Sequence, residues 1–273
     1  MRELEQAVAA GAARLAVLRW RGGVASRADD WVSQEVAVAL EYNGVSHAVM
    51  LATPLDLDDF ALGFSLSEGI LQRPDQLYGI EQVASAQGIT LQLEVATRCF
   101  EGLKDKRRNL TGRTGCGLCG TENLQQALRP LPQLPQSAPV TASAVAAALR
   151  QLPQLQRLGQ ATGSVHAAAF SNPAGAVQLL REDVGRHNAL DKLVGALARS
   201  GTDPAGGFML VSSRASVEMV QKAALAGCPL LVAVSAPTAL AVASAAAAGM
   251  TLAGLARGDD LVIYAGAERL TLE

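Results

Sequence analysis

Two cysteines three residues apart are the residues best suited to chemistry in this sequence. Cys116 and Cys119 lie in a glycine-rich run from Gly112 to Gly120. The thiolate is the reactive form of cysteine, and a nearby cation or helix N-terminus lowers its pKa. Arg113 precedes the pair, and a short helix is predicted to begin near Thr121 and run to Leu128. The pattern favours a persulfide carrier, in which a thiolate takes sulfane sulfur from a donor and passes it on.

The thiol pair is also compatible with metal binding, redox chemistry or a structural role. A structural zinc site needs four ligands, and the remaining candidates form no second close pair; they are Cys99, Cys228, His47, His166 and His187. A thioredoxin-type redox pair would lie at a strand-to-helix junction, without so basic a glycine loop. The residues alone leave these alternatives open. Cys228 lies in an apolar stretch and is predicted to be an inert, packed thiol.

Three further polar segments have both a functional and an ordinary structural interpretation. Glu182–Asn188 opens a predicted helix, so its acids either offset the helix dipole or line a pocket at a sheet edge. Ser212–Ser216 joins a strand to a helix, where hydroxyls, an arginine and free N–H groups suit an anion. Capping by Ser213 or Ser216 accounts for the same residues.

The third segment lies between the last two predicted strands and consists of Leu255, Ala256, Arg257, Gly258, Asp259 and Asp260. It is either a solvated hairpin or part of a nucleotide site. In the second case Arg257 would bind a phosphate, and a carboxylate would accept hydrogen bonds from the N–H edge of guanine. The residues alone do not decide between the two.

The first part of the chain, residues 1–129, is predicted to be α+β. Asn43-Gly44 predicts a hairpin between strands Glu35–Leu40 and His47–Ala52. An amphipathic helix is predicted over Asp56–Glu68, capped by Asp56 or Thr53 and ended by Gly69. Two strands follow, near 78–83 and 90–95. A cationic, glycine-rich loop is predicted over residues 98–120, and a proline-rich linker over 130–139.

The second part, residues 140–273, alternates short apolar runs with helical periodicity. It predicts a layered α/β domain around a mixed sheet. The predicted strands are Val165–Phe170, Ala176–Leu180, Phe208–Ser212, Leu230–Ser235, Met250–Leu255 and Leu261–Tyr264. The predicted helices are His187–Arg199, Val217–Ala226 and Thr238–Ala248.

Composition excludes several classes of protein. The hydrophobic fraction of 49% and charged fraction of 18% are those of a globular protein, and the net charge of -2 argues against nucleic-acid binding. The N-terminus lacks the layout of a secretory signal, so a cytoplasmic protein is expected. The uncharged stretch from Ala223 to Ala256 is divided by glycine and proline, which favours buried strands and a helix over a membrane span.

Several segments together resemble the formate dehydrogenase accessory sulfurtransferases, the FdhD family. The resemblance covers nearly the whole chain, in the same order. It rests on 60–69 (FALGFSLSEG), 112–120 (GRTGCGLCG), 182–192 (EDVGRHNALDK), 214–222 (RASVEMVQK) and 234–238 (VSAPT).

The resemblance implies a function, a cofactor and partners. A cysteine desulfurase would load Cys116 with persulfide sulfur, with Cys119 as its partner thiol. The carrier would pass the sulfur to the molybdenum bis-molybdopterin guanine dinucleotide cofactor of formate dehydrogenase. Residues 255–260 match the cofactor-binding stretch of the family, although Asp259 and Asp260 replace a more basic ending. A homodimer is also implied.

The resemblance further implies a fold similar to the cytidine deaminases, with the thiol loop emerging from an added N-terminal part. A zinc deaminase needs a His-x-Glu unit and a Pro-Cys-x-x-Cys pair. Here the residues two positions after His47, His166 and His187 are valine or alanine, and Gly115 precedes Cys116. Deamination is therefore excluded, and the remaining rival is a non-catalytic chaperone that only binds the molybdenum cofactor.

Overall fold

The computed structural model of the chain describes residue 8 and residues 10–110, 130–135 and 137–272, with residues 104–110 described through their backbone alone. The first part contains, in order, β1 (Ala12–Arg21), β2 (Val24–Ser33), β3 (Val36–Tyr42), β4 (Val45–Ala52), α1 (Leu57–Ser67), β5 (Leu77–Ser85), β6 (Gly88–Val95) and α2 (Thr97–Leu110). A 3₁₀ turn, Pro74–Gln76, precedes β5.

Four of these strands form a mixed sheet in the order β4-β3-β6-β5, with β3 and β6 parallel. The predicted hairpin between β3 and β4 is confirmed. Asn43 and Gly44 have φ angles of 46° and 79°, which these two residues tolerate best. Phe60 and Phe64 of α1 pack against this sheet in a buried cluster.

The side chains predicted to cap the start of α1 do not do so, whereas the glycine predicted to end the helix does. Asp56 occupies the predicted N-cap position with a φ of 53°, but its side chain makes no capping hydrogen bond. Thr53 is not the cap either, because its Oγ1 accepts a hydrogen bond from the Val184 N–H (3.1 Å). Gly69 ends the helix as predicted, with a φ of 64° and its N–H donating to the Leu66 carbonyl.

Helix α2 corrects the predicted loop over residues 98–120, because its first part is helical as far as Leu110. The stretch contains one glycine, Gly102, among residues that favour helices. Cys99, Phe100 and Leu103 lie on one side of the helix and pack against the cluster beneath α1. The loop was predicted from the basic residues alone. The segment is instead a packed helix, because its apolar stripe is buried against the core.

Strands β1 and β2 form a two-stranded antiparallel ribbon that the sequence did not predict. The ribbon projects several apolar side chains into solvent, among them Leu18 (74% exposed), Trp20 (70%) and Val24 (67%). Near its base, Ala12 and Trp31 pack against Leu158. The apolar residues lie on both faces of the ribbon. The sequence of β1 and β2 therefore lacks the alternation of apolar and polar residues that predicts a strand.

The second part begins with β7 (Val140–Thr141) and helices α3 (Ala142–Leu155) and α4 (Arg157–Thr162). It continues with β8 (His166–Ser171), β9 (Val177–Asp183), α5 (Arg186–Ser200), β10 (Phe208–Val211), α6 (Val217–Leu225), β11 (Leu230–Ala233), α7 (Ala239–Ala247), β12 (Thr251–Arg257), β13 (Asp260–Ala265) and β14 (Leu270–Thr271). Single 3₁₀ turns lie at Pro204–Gly206 and Ala267–Arg269.

Six strands form a mixed sheet in the order β13-β12-β11-β10-β8-β9, in which β10, β11 and β12 are parallel. Alternate side chains of β10 face opposite layers. Met209 packs in the cluster that contains α5 and α6, whereas Leu210 packs in the cluster that contains α3. The mixed α/β class predicted from the sequence is therefore confirmed, while its likeness to the cytidine deaminases stays a prediction.

The uncharged stretch from Ala223 to Ala256 is the end of α6, then β11, α7 and most of β12. Its interpretation as core strands and a helix is confirmed, and α3 and α4 are the helices of this half that were not predicted. Among the described residues, no helix combines the length and apolar character that crossing a membrane requires.

The proline-rich segment has no regular secondary structure in its described residues, 130–135 and 137–139. It is nevertheless held against the second half. Leu131 and Leu134 pack against the core, and the Leu134 N–H donates to the Ala248 carbonyl (3.0 Å). The division into domains 1–129 and 140–273 stays a prediction.

Helices α1 and α5 join the two halves through a close crossing. A methyl group at Gly63 would overlap the backbone carbonyl of Asp191, and one at Gly195 would overlap the carbonyl of Asp59. Glycine at both positions lets the helix backbones touch. The crossing fixes where side chains near the end of α1 lie relative to those of α5.

Candidate functional site

The predicted catalytic residues, Cys116 and Cys119, lie outside the described residues, as does the predicted helix from Thr121. The other two thiols are described. Cys99 is partly exposed, and Cys228 is fully buried, as predicted. Burial raises the pKa of Cys228 to about 12, so this thiol is protonated and unreactive at neutral pH.

Residues 255–260 are the last three residues of β12, the two-residue turn of Gly258 and Asp259, and the first residue of β13. Leu255 has a φ of 53° and is half-exposed, and Gly258 has a φ of 58°. Arg257 lies opposite Asp260 in the strand register. Asp259 Oδ1 lies 2.5 Å from Arg150 Nη1, and both side chains are largely exposed. Asp259 therefore already has a cationic partner on the surface.

The structure brings this turn beside the predicted anion site at Ser212–Ser216. Parallel strands end at the same sheet edge, and backbone hydrogen bonds link the turns that follow them. The Leu255 N–H donates to the Ser235 carbonyl (3.2 Å), and the Thr238 N–H donates to the Ala215 carbonyl (3.1 Å). Carboxyl ends of parallel strands are the usual ligand edge of α/β sheets.

The serines at this edge do not cap α6, so the capping interpretation is wrong. Ser213 Oγ donates to the Arg214 carbonyl (3.0 Å), and Ser216, at the N-cap position, makes no side-chain cap. Ser212 Oγ accepts from the Ala167 N–H (2.9 Å) and lies 3.5 Å from His166 Nδ1. Burial, together with nearby Arg186 and His187, lowers the pKa of His166.

The acids of Glu182–Asn188 bind backbone and lysine groups within the protein. Glu182 accepts hydrogen bonds from the Leu158 and Gly159 N–H groups at the start of α4. Asp183 pairs with fully buried Lys192 at 2.6 Å and also accepts from the Thr53 N–H. The predicted helix-dipole interpretation is wrong for α5, because Glu182 binds the N–H groups of a different helix, α4, and the first turn of α5 contains no acidic residue. Asp183 is structural.

A second buried ion cluster lies at the crossing of α1, α5 and α6. Lys222 Nζ lies 2.9 Å from Asp191 Oδ1 and 3.0 Å from Glu68 Oε1. It also donates to Ser67 Oγ (3.0 Å), whose hydroxyl donates to Asp191 (2.5 Å). Burial opposes the charge of Lys222, but the two carboxylates outweigh it and raise the pKa of Lys222. The ammonium is therefore charged at neutral pH.

This cluster forms one wall of a cavity of about 190 Å³. Other walls are Met50 and Phe64, and the Lys222 ammonium lies 5.6 Å from the centre of the Phe64 ring. His187 Nε2 and Glu218 Oε2, 2.7 Å apart, belong to the first turns of α5 and α6. The close approach of His187 is the main reason that the pKa of Glu218 is lowered.

Glu68, Asp191 and Lys222 were not predicted as functional residues, although all three lie in segments that carry the family resemblance. The sequence contained one indication of this cluster. Lys222 is a charged residue on an otherwise apolar face of its helix, between Met219 and Ala223. Which charges meet depends on the crossing of three helices. In the described part of the chain, no group of three or more His, Cys, Asp or Glu side chains could hold a metal ion.

Comparisons with known proteins agree on one family. A family model described as the FdhD/NarQ family matches residues 33–271. The chain is 59% identical over 241 residues to the sulfur carrier protein FdhD of Variovorax paradoxus (strain S110), covering 88% of this chain and 87% of that one. It is 55% identical over 259 residues to the protein of the same name from Bordetella petrii, covering 94% and 93%.

A solved structure gives an independent comparison of the fold. It is described as a candidate formate dehydrogenase accessory protein from Desulfotalea psychrophila. The TM-score is 0.77 at 22% sequence identity, and the match covers 95% of this chain and 99% of that chain. At this level of identity the likeness concerns the fold alone.

Proposed function

The chain belongs to the FdhD/NarQ family, and from this premise we propose that it is a sulfur carrier for formate dehydrogenase maturation. Cys116 would accept persulfide sulfur from a cysteine desulfurase and transfer it to the molybdenum bis-molybdopterin guanine dinucleotide cofactor. The observation that carries the proposal is the high identity to named sulfur carriers over most of both chains. Cys228 is fully buried and is therefore a poor candidate for the sulfur-carrying thiol, which further supports a role for Cys116 and Cys119.

The chemistry follows from thiol exchange. The Cys116 thiolate attacks the outer sulfur of the donor persulfide, so that a new S–S bond forms and the donor cysteine leaves as a thiolate. Release of this sulfur as hydrosulfide requires two electrons. Cys119 supplies them by attacking the Cys116 sulfur, which forms a disulfide between the two cysteines. A cellular dithiol would then restore the reduced pair.

We further propose that residues 255–260 contact the cofactor. Their position beside the turns that begin α6 and α7 supports this, because helix N-termini attract phosphate. Arg257, which is exposed, would bind a phosphate. The ion pair between Asp259 and Arg150 favours a surface role for that aspartate over contact with guanine.

Sulfur loading is testable on the intact protein by mass spectrometry. After incubation with a cysteine desulfurase and cysteine, the peptide containing Cys116 should gain one sulfur atom. Cys228 and Cys99 serve as internal controls, and Cys228 should remain unmodified because its thiol is buried and protonated. Sulfur confined to Cys99, or a tightly bound zinc found by elemental analysis, would contradict the proposal.

A homodimer is proposed as the working assembly in the cytoplasm. The β1–β2 ribbon supports it, because an isolated two-stranded ribbon is marginal in water and this one exposes Leu18 and Trp20. A two-fold contact needs the same patch on both copies.

We expect Leu18→Ser with Trp20→Ser to weaken the dimer in sedimentation equilibrium, whereas Leu272→Ser, equally exposed, should not. A monomeric wild-type mass would contradict it.

A further inference from the structure

We infer that the outer face of the four-stranded sheet, which points away from α1, is the docking surface for the sulfur donor. On β3 this face consists of Ala37, Ala39 and Glu41, which alternate with the buried Val38 and Leu40. The donor would be a cysteine desulfurase that presents a basic side chain beside apolar ones. The inference rests on the proposed function, because it names the surface at which that donor is recognised.

The register of the strands places an apolar patch on the outer face. Side chains that lie directly opposite each other on neighbouring strands share a face of the sheet. Ala39 of β3 is opposite Val49 of β4 and Thr90 of β6, and Thr90 is opposite Val83 of β5. Leu51 lies two residues beyond Val49 and extends the patch. Leu51, Val49 and Val83 are 56%, 54% and 39% exposed, so this part of the face offers apolar surface to a partner.

The neighbouring row on the same face is acidic. Glu41 of β3 is opposite Gln92 of β6, which is opposite Glu81 of β5. Glu94 follows two residues after Gln92 and therefore points to the same face. The four strands contain no lysine or arginine. The outer face therefore supplies no cation of its own to balance its three glutamates.

A depression of about 390 Å³ lies in the acidic half of the outer face. Glu41, Glu81 and Glu94 line it, together with Gly44 and Gly79, whose lack of side chains leaves the space open. One lysine or arginine of a partner would enter this depression and form charge-assisted hydrogen bonds with the carboxylates. Arginines that fill pockets are among the residues that contribute most to protein–protein binding.

The combination of an apolar patch and an acidic depression selects the class of partner. Pairing of this face with the same face of a second copy would bring no cation to the glutamates, because a two-fold contact uses one patch twice. Nucleic acid and anionic lipid would be repelled by the carboxylates. A protein with a basic side chain beside apolar ones satisfies both halves, and the opposite charges would accelerate its association.

The position of the outer face favours the donor over the acceptor of sulfur. Phe60 and Phe64 of α1 pack against the inner face of the sheet, and α1 crosses α5 at Gly63 and Gly195. Helix α5 packs in turn on the six-stranded sheet that carries residues 255–260. A desulfurase on the outer face would therefore leave the proposed cofactor contacts free. It would also lie on the half of the chain from which the thiol segment continues, because β6 leads directly into α2.

Charge reversal in the depression tests the inference on the full-length protein. The rate of sulfur loading on Cys116 by a cysteine desulfurase would be measured at increasing concentrations of the carrier. We expect Glu81→Lys to raise the KM for the carrier by at least about tenfold, because a like charge replaces an attraction. The kcat should stay within about twofold of the wild-type value, since only docking is changed. Glu268→Lys is the matched control, because it reverses an exposed glutamate outside the outer face, and it should leave both values unchanged.

Each alternative occupant gives a different result. An unchanged KM of Glu81→Lys overturns the inference, and loss of formate dehydrogenase activity in the same variant would then assign the face to the acceptor. A raised KM together with a lower mass in sedimentation equilibrium would assign the face to a second copy, which also overturns the inference. Loading of Cys116 at high carrier concentration in either case would show that the proposed function survives. A wild-type protein that takes no sulfur would overturn both.

Discussion

Replacement of Cys116 by serine should abolish the maturation of formate dehydrogenase. Serine keeps the size and polarity of the side chain but cannot form a persulfide, so the sulfur has no carrier. We expect formate dehydrogenase activity to fall by more than about a hundredfold in a strain that lacks its own carrier, because removal of a nucleophile eliminates the covalent route. The measurement is enzyme activity per amount of dehydrogenase protein.

One matched control and one further variant accompany this prediction. Cys99→Ser changes a partly exposed thiol outside the predicted pair and should retain activity. Cys119→Ser should retain sulfur loading on Cys116 but slow its release, if Cys119 supplies the electrons for transfer. Full activity of Cys116→Ser would instead support the rival hypothesis, a chaperone that binds the molybdenum cofactor without handling sulfur.

Gly195→Ala should destabilise the whole protein by about 3 kcal/mol, through overpacking of a closed contact. The added methyl would overlap the backbone carbonyl of Asp59 in α1, and backbone moves less readily than the end of a side chain. Helices α1 and α5 would have to separate. This would also disturb the contacts of Ser67 and Glu68 with Asp191 and Lys222, which span the same crossing.

Urea unfolding at constant slope measures this effect. Gly102→Ala is the matched control, because Gly102 also lies in a helix but a methyl there meets no atom of the described residues within 4 Å. Alanine at that position should be neutral or stabilising by up to about 1 kcal/mol. Equal stability of Gly195→Ala and wild type would show that the helices are not in close contact.

Local patterns in the sequence were sufficient for most elements of the fold. The hairpin at Asn43-Gly44, the glycine that ends α1 and the alternation of strands and helices after residue 165 were all predicted correctly. Each depends on neighbouring residues, through turn conformation or hydrophobic period. The predictions failed where a distant contact changed the balance. The Thr53 hydroxyl accepts a hydrogen bond from the Val184 N–H instead of capping α1. The basic segment that begins at residue 98 is helical because Cys99 and Leu103 pack against the core.

In the candidate site, too, some residues could be identified from local sequence patterns and others only from the tertiary structure. The sequence by itself determined the family, through long motifs in a fixed order, and it identified Cys116, Cys119 and residues 255–260 as positions with chemical potential. Only the tertiary structure decided that Ser67, Asp191 and Lys222 meet beside a cavity, because 124 residues separate the first two and 31 the last two. Such a meeting depends on the angle and spacing of packed helices, which glycines on both helices set and which no local pattern encodes.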